Sequence, residues 1–300
     1  MFWKSMLILM YGFVFVATTA WGDVPYTGKV PAPEFRDSLN FQKGEIILTN
    51  GVAKLRVPEN FRYLGPEDTQ KVLVNAWGNP KDKRTLGMLV PAGASPIAKD
   101  GWGVVITYEE DGHVSDKDAD SIDFDNLLNE MKKGMAEVNK ERSESGHERI
   151  DLIGWAVTPR YDEETHKLYW AKELSFGGSG EHTLNYNIRI LGRKGVLMLN
   201  AVAGMGQLTD IEKRMPEVLA LTAFNPGHRY EDFDRNADKV APYGIAALVA
   251  GGIAAKTGLF YRILAMSFVG KITLIVLLSA LGGFIVLLLK RKKGKYVMSG

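Results

Sequence analysis

The chain has 300 residues, 46% of them hydrophobic and 24% charged, with a formal net charge of +2 and no cysteine. That length suits one large or two modest domains, and the lack of thiols excludes cysteine nucleophiles and a disulfide framework. The charge is divided: residues 240–300 hold eight Lys or Arg and no acid, and setting these and Lys4 aside leaves −7 on residues 23–239, a balance that argues against nucleic acid as a partner.

Residues 1–22 read as a signal peptide. Lys4 precedes an apolar run from Met6 to Ala20, and Ala20-Trp21-Gly22 suits cleavage before Asp23. The alternative is an uncleaved signal anchor. The exported part also has no Asn-x-Ser/Thr acceptor, which together with the missing cysteines fits a bacterial envelope protein.

Residues 23–240 read as one periplasmic domain. Asn50-Gly51 between apolar runs predicts a hairpin, because both residues tolerate positive φ. "RTLGMLVP" and "GWGVVITYEE" read as further strands. In the next segment the period changes: Phe124, Leu127, Leu128, Met131, Met135 and Val138 fall on one helical face. Strands are expected over Arg149–Val157, Lys167–Phe176, His182–Leu191 and Val196–Ala203. A second helix is expected near Thr209, with Thr209 and Glu212 at capping-box spacing and Pro216 as a kink or a late start. Strands, helix, strands, helix in that order predict an α+β fold, an antiparallel sheet flanked by helices.

The C-terminal part reads as membrane-associated. Residues 241–271 are apolar but interrupted by Lys256 and Arg262, which predicts an interfacial or re-entrant segment with those two cations at the headgroups. Ala247, Gly251 and Ala255, spaced by four, would allow close helix packing. Residues 272–289 carry no charge, and as a helix they would rise about 27 Å, a transmembrane length. Residues 290–300 begin with "KRKKGK", which predicts a cytoplasmic tail. The expected localisation is therefore the bacterial inner membrane, crossed once, with the lipid bilayer, a membrane or periplasmic protein and a second copy of the chain as partners.

Few motifs carry chemistry. Asp116, Asp118 and Asp120 alternate like the start of a calcium loop, but Ser121 and Leu127 stand where that loop wants Gly and Glu. The alternative without a metal is that Asp120, Asp123 and Asp125 sit near a helix N-terminus and favour its dipole. "AGGIAAKTG" lacks the glycines of a phosphate loop, and "GGSG" followed by Glu181 is not a nucleophile elbow. No metal and no cofactor are expected.

The acids around Asp162 read as a hairpin tip, with Trp155, Val157 and Tyr161 on one parity before it and Leu168 and Trp170 on one after it. In "LNYNIRIL" the polar residues Asn185, Asn187 and Arg189 alternate with apolar ones. They are either the solvated side of a strand or a binding groove of amides and a guanidinium. A periplasmic hydrolase would need Asp162, His166, Asn185 and Arg189 in one cleft. The favoured reading is a tethered, non-enzymatic interaction or envelope-assembly module, with the hydrolase as alternative.

"GWAVTPRYD", "KLYWAKEL", "LNYNIRILGRKGVLMLN" and "YGIAALVAGGIAAKTGLF" resemble the bacterial membrane-anchored proteins of domain-of-unknown-function family 2167 over roughly Gly44 to Lys271. The resemblance implies an inner-membrane protein with an exported domain, and no reaction. A looser fold-level likeness, to the Mog1/PsbP-type sandwich, implies an antiparallel sheet with flanking helices.

Overall fold

A long strand whose two sides are both apolar has to be covered on both faces, and Val196–Gly204 is such a strand, buried from Val196 to Ala203. The computed structural model describes residues 32–251 apart from Gly78, Pro80, Lys99, Asp100, Ser145 and Ser179, and it places this strand near the middle of an eight-stranded sheet.

In chain order the strands are β1 (Phe41–Gln42), β2 (Gly44–Ile47), β3 (Ala53–Val57), β4 (Phe61–Leu64), β5 (Thr85–Pro91), β6 (Gly103–Glu109) and β7 (His113–Ser115). They continue with β8 (Ile150–Asp162), β9 (Lys167–Phe176), β10 (His182–Leu191), β11 (Val196–Gly204), β12 (Thr222–Phe224) and β13 (Val240–Gly244). The helices are α1 (Ala32–Asp37), α2 (Pro66–Gln70), α3 (Phe124–Glu144), α4 (Leu208–Leu221) and α5 (Ile245–Ala250). The large sheet is antiparallel, in the order β1-β4-β5-β6-β11-β10-β9-β8, beside a small sheet β12-β3-β2 and a pair β13-β7.

One face of the large sheet packs on the small sheet and α4. Leu55, Val104, Ile106, Ile188, Leu199, Ile211, Met215 and Val218 share that core. Each such side chain, fully buried, contributes about 1.5–3 kcal/mol. The other face carries α1 and the π-turn after α2 over Met88, Val90 and Val105, and α3 over β8. Helix α3 forms as its period predicts: Leu127, Met131, Met135 and Val138 are buried, and the Asp123 carboxylate accepts the N–H of Asn126 at its start. Asn139 then fixes the helix to β8, donating to the Ile150 carbonyl and accepting its N–H, both at 2.8 Å.

The predicted α+β architecture is observed, with differences of detail. The Asn50-Gly51 hairpin forms as β2–β3, with Gly51 at φ +72°. Helix α4 starts at Leu208 after a 3-10 turn, so Thr209 is not its cap, and it runs through Pro216 without ending. Register shifts in β8 break the predicted common parity. Trp155 faces α3 and donates to the Phe124 carbonyl (3.2 Å), whereas Val157 packs in the opposite core.

The expected boundary at residue 240 is also moved. Strand β13 pairs in parallel with β7, and α5 buries Ile245, Ala246, Val249 and Ala250, so the folded unit continues to Ala250. Ala247 on α5 is half-buried and Gly251, at φ +57°, ends the helix exposed. Among the described residues no helix is long and apolar enough to cross a membrane. Residues 1–22, Ala255, Lys256, Arg262, Ile272–Leu289 and the basic tail lie outside the described residues.

Candidate functional site

The register of the large sheet lines its helix-covered face with polar side chains. Directly opposed residues share a face, so three adjacent rows can be read across β6, β11, β10 and β9. They are Thr107–Met198–Arg189–Leu168, then Val105–Asn200–Asn187–Trp170, then Gly103–Val202–Asn185–Lys172. Asn185, Asn187 and Arg189, selected from the sequence for their alternation, therefore stand together with Lys172, Asn200, Trp170 and Thr107. The solvated-strand reading is overturned, because Asn187 is 4% exposed and Arg189 9%.

Hydrogen bonds fix this seam. Arg189 Nη1 donates to Asn200 Oδ1 (2.9 Å) and to the Ile188 carbonyl (2.8 Å), and Nη2 donates to Asn187 Oδ1 (3.3 Å). Asn187 Nδ2 in turn donates to the carbonyl and the side-chain oxygen of Asn185. The guanidinium carbon lies 5.1 Å from the centre of the Trp170 ring, a cation–π distance. Burial lowers the Arg189 pKa to about 10. Lys172 is lowered to about 8, by burial first and by the nearby Arg189 charge second. The Lys172 side chain and Asn185 keep partial exposure, so this is the open end of the seam, while Asn200 and Thr107 close the other.

Acids gather at the edge of the seam, at the end of β6. Glu109 pairs with Arg84, whose guanidinium also forks onto Asp82 at 2.8 and 2.9 Å. The two partners shift in ways that do not mirror each other. Arg84 is raised, because its two acids outweigh its burial, whereas burial pushes Glu109 up to about 7 against the pull of Arg84. One guanidinium thus serves two carboxylates, each with 17% of its side chain exposed. Tyr243, just before α5, donates to Asp111 (2.8 Å) and lies within electrostatic reach of Glu109 and Arg189.

The other residues selected from the sequence are elsewhere. Asp162 is occupied within its own turn, accepting from the Thr165 hydroxyl (2.7 Å) and from the N–H groups of Glu164 and Thr165. His166, at φ +51°, rests on Tyr230 with ring centres 4.0 Å apart, and its Nδ1 lies 3.1 Å from the Tyr161 hydroxyl. That hydroxyl donates to Asp116 (2.8 Å), and Tyr230 and Phe233 also stack on His113. Asn185 pairs with Lys172, five residues along β9 from Lys167, or about 16 Å at strand rise. Asp162, His166, Asn185 and Arg189 thus do not form one cleft.

The Asp116–Asp118–Asp120 run is also divided, because Asp116 takes the Tyr161 hydroxyl and Asp118 accepts from Ile245 and Ala246 at the start of α5. Among the described residues no group of His, Asp and Glu has the geometry of a metal site.

Sequence reasoning missed Lys172, Asn200 and Glu109. A signal existed for two of them. Asn200 is the one polar residue in "VLMLNAVA", and Lys172 continues the inward alternation of Leu168 and Trp170.

Several solved structures are similar in outline. The PsbP protein of Synechocystis matches at 10% identity over 63% of this chain and 93% of its own, with a TM-score of 0.33. LpqN of Mycobacterium tuberculosis, involved in cell envelope biogenesis, matches at 16% identity over 67% and 99%, with a TM-score of 0.32. The Ran-binding protein Mog1p of Saccharomyces cerevisiae matches at 9% over 62% and 96%, with a TM-score of 0.29. Superpositions this loose transfer no function. No curated protein sequence matches the chain. The model of a protein of unknown function, DUF2167, matches residues 40–282, most of the length, and the chain belongs to that family.

Proposed function

We propose that the chain is a membrane-tethered module of the bacterial envelope that acts by binding, with its folded unit on the periplasmic side of the inner membrane. The observation that carries this reading is the fate of the acid and base candidates. Asp162 is consumed by its own turn and His166 by a ring stack, while the buried polar groups are donors held by amides. That arrangement suits holding a ligand or partner better than proton transfer, which needs a base within reach of a reacting group. The tether rests on the charge-free run Ile272–Leu289 and the following "KRKKGK", and the family match extends to residue 282, inside that run. The partner is an envelope protein, and the activity an assembly or stress-response role.

Two arms test this. Alkaline phosphatase fused after Asn236 should be active, and fused after Gly300 inactive; activity only in the second fusion overturns the topology. A photo-crosslinking residue at Ile153, exposed on the outer strand β8, should give discrete adducts in intact membranes. The same residue at the exposed Lys132 of α3 should not. Adducts at neither position, or equally at both, count against a specific protein partner.

A further inference from the structure

Lys172 and Arg189 stand on neighbouring strands, on one face of the sheet, and neither has a carboxylate within ion-pair distance among the described residues. A buried guanidinium and a partly exposed ammonium without a counter-charge are costly, because each loses hydration and each repels the other. The surrounding groups deepen the imbalance. Asn200 Nδ2 and Trp170 Nε1 are buried N–H donors with no partner, and the Thr107 hydroxyl is likewise unpaired. The side-chain oxygens of Asn187 and Asn200 are already taken by Arg189. The centre of the seam therefore presents unpaired N–H donors and positive charge but no anionic acceptors among the described residues.

The rest of the chain cannot easily supply them. Outside the described residues the only acidic side chains are Asp23 and Asp100, and residues 252–300 contain none. Glu109 is the acid that acts on Arg189 most strongly, but it already pairs with Arg84. A complementary group from another molecule fits this gap.

We propose that the seam is a binding site for an oxyanion, a carboxylate or phosphate group, held between the Lys172 ammonium and the Arg189 guanidinium. Asn200 Nδ2 and Trp170 Nε1 supply further donors, and the anion enters at the half-exposed Lys172–Asn185 end. Charge-assisted bonds of this kind are about twice as strong as neutral ones. An anion there also cancels the repulsion between the two cations. The site does not depend on the tether: failure of the fusion experiment leaves it standing, and its own failure leaves the topology untouched.

The test uses the full chain in mild detergent, titrated with sodium phosphate and separately with sodium succinate against sodium chloride at equal ionic strength. Saturable thermal stabilisation by at least one of the two, beyond chloride, is expected. In Lys172→Met the affinity should fall at least about tenfold. Without added anion that variant should melt above the wild type, because an unpaired, partly dehydrated charge has gone. Lys172 makes no hydrogen bond that the substitution would break, so a folded variant is expected. A third arm is flotation with vesicles containing phosphatidylglycerol, where Lys172-dependent binding would assign the anion to a lipid headgroup. No stabilisation by either salt and no such flotation, unchanged affinity in Lys172→Met, or a lower anion-free melting point in that variant would overturn the proposal.

Discussion

The Asp118 carboxylate accepts the backbone N–H of Ile245 at 3.0 Å and that of Ala246 at 3.2 Å, capping α5 from 127 residues away in the chain. Gly244 makes the approach feasible, since a Cβ there would lie 2.6 Å from Asp118 Oδ1. Helix N-terminal N–H groups otherwise lack partners. Replacing Asp118 with Ala should cost about 1 kcal/mol, and with Asn less, in urea denaturation of the full chain in mild detergent. Calorimetry should show no calcium binding, because both Asp116 and Asp118 are engaged by protein donors.

Glu109 gives a pH dependence with a definite sign. Its folded pKa is raised to about 7 from 4.5, by burial first, with Asp111 and Asp82 adding and Arg84 opposing. Between those values the folded state binds more protons than the unfolded one, so stability falls as pH rises through the window. The contribution is on the order of 3 kcal/mol. Glu109→Gln should flatten the urea midpoint between pH 4.5 and 7. A midpoint in the wild type that rises across the window would contradict the assignment.

Gly195 closes the turn between β10 and β11 directly against β6. A Cβ there would lie 2.0 Å from the Glu109 carbonyl oxygen, a backbone atom that cannot swing away. Gly195→Ala should therefore destabilise by about 1–3 kcal/mol, as overpacking does, measured by the same denaturation. Gly180→Ala, where a Cβ meets nothing within 4 Å, is the control and should change little.

The sequence has no cysteine, so single-cysteine labelling is clean. On the proposed topology, Lys256→Cys in intact spheroplasts should react with a membrane-impermeant thiol reagent, and Thr273→Cys should be protected. Protection of Lys256→Cys that is reversed only on lysis would mean a second span and an inverted folded unit.

Much of the sheet was legible because its strands announce themselves locally. Lys167–Phe176 and His182–Leu191 match their predicted bounds, and the Leu127–Met131–Met135–Val138 stripe gave α3. The short elements were not legible. β1, β7, β12 and β13 have two to five residues and exist through partners distant in the chain, which no local period reveals. The candidate site was half legible. Alternation selected Asn185, Asn187 and Arg189, but whether that face met water depended on what covers it. Lys172 continues the alternation of Leu168 and Trp170, but only the register placed it across from Asn185.

The pairing of β13 with β7 also sets an order of assembly. The large sheet is complete in sequence by Gly204, and its hairpins β8–β9, β9–β10 and β10–β11 close over short separations. β13 and α5 must wait for residues synthesised much later, and they pay the closure entropy of a far longer loop. The Tyr243–Asp111 hydrogen bond depends on that docking and should therefore form after the hairpins of the sheet.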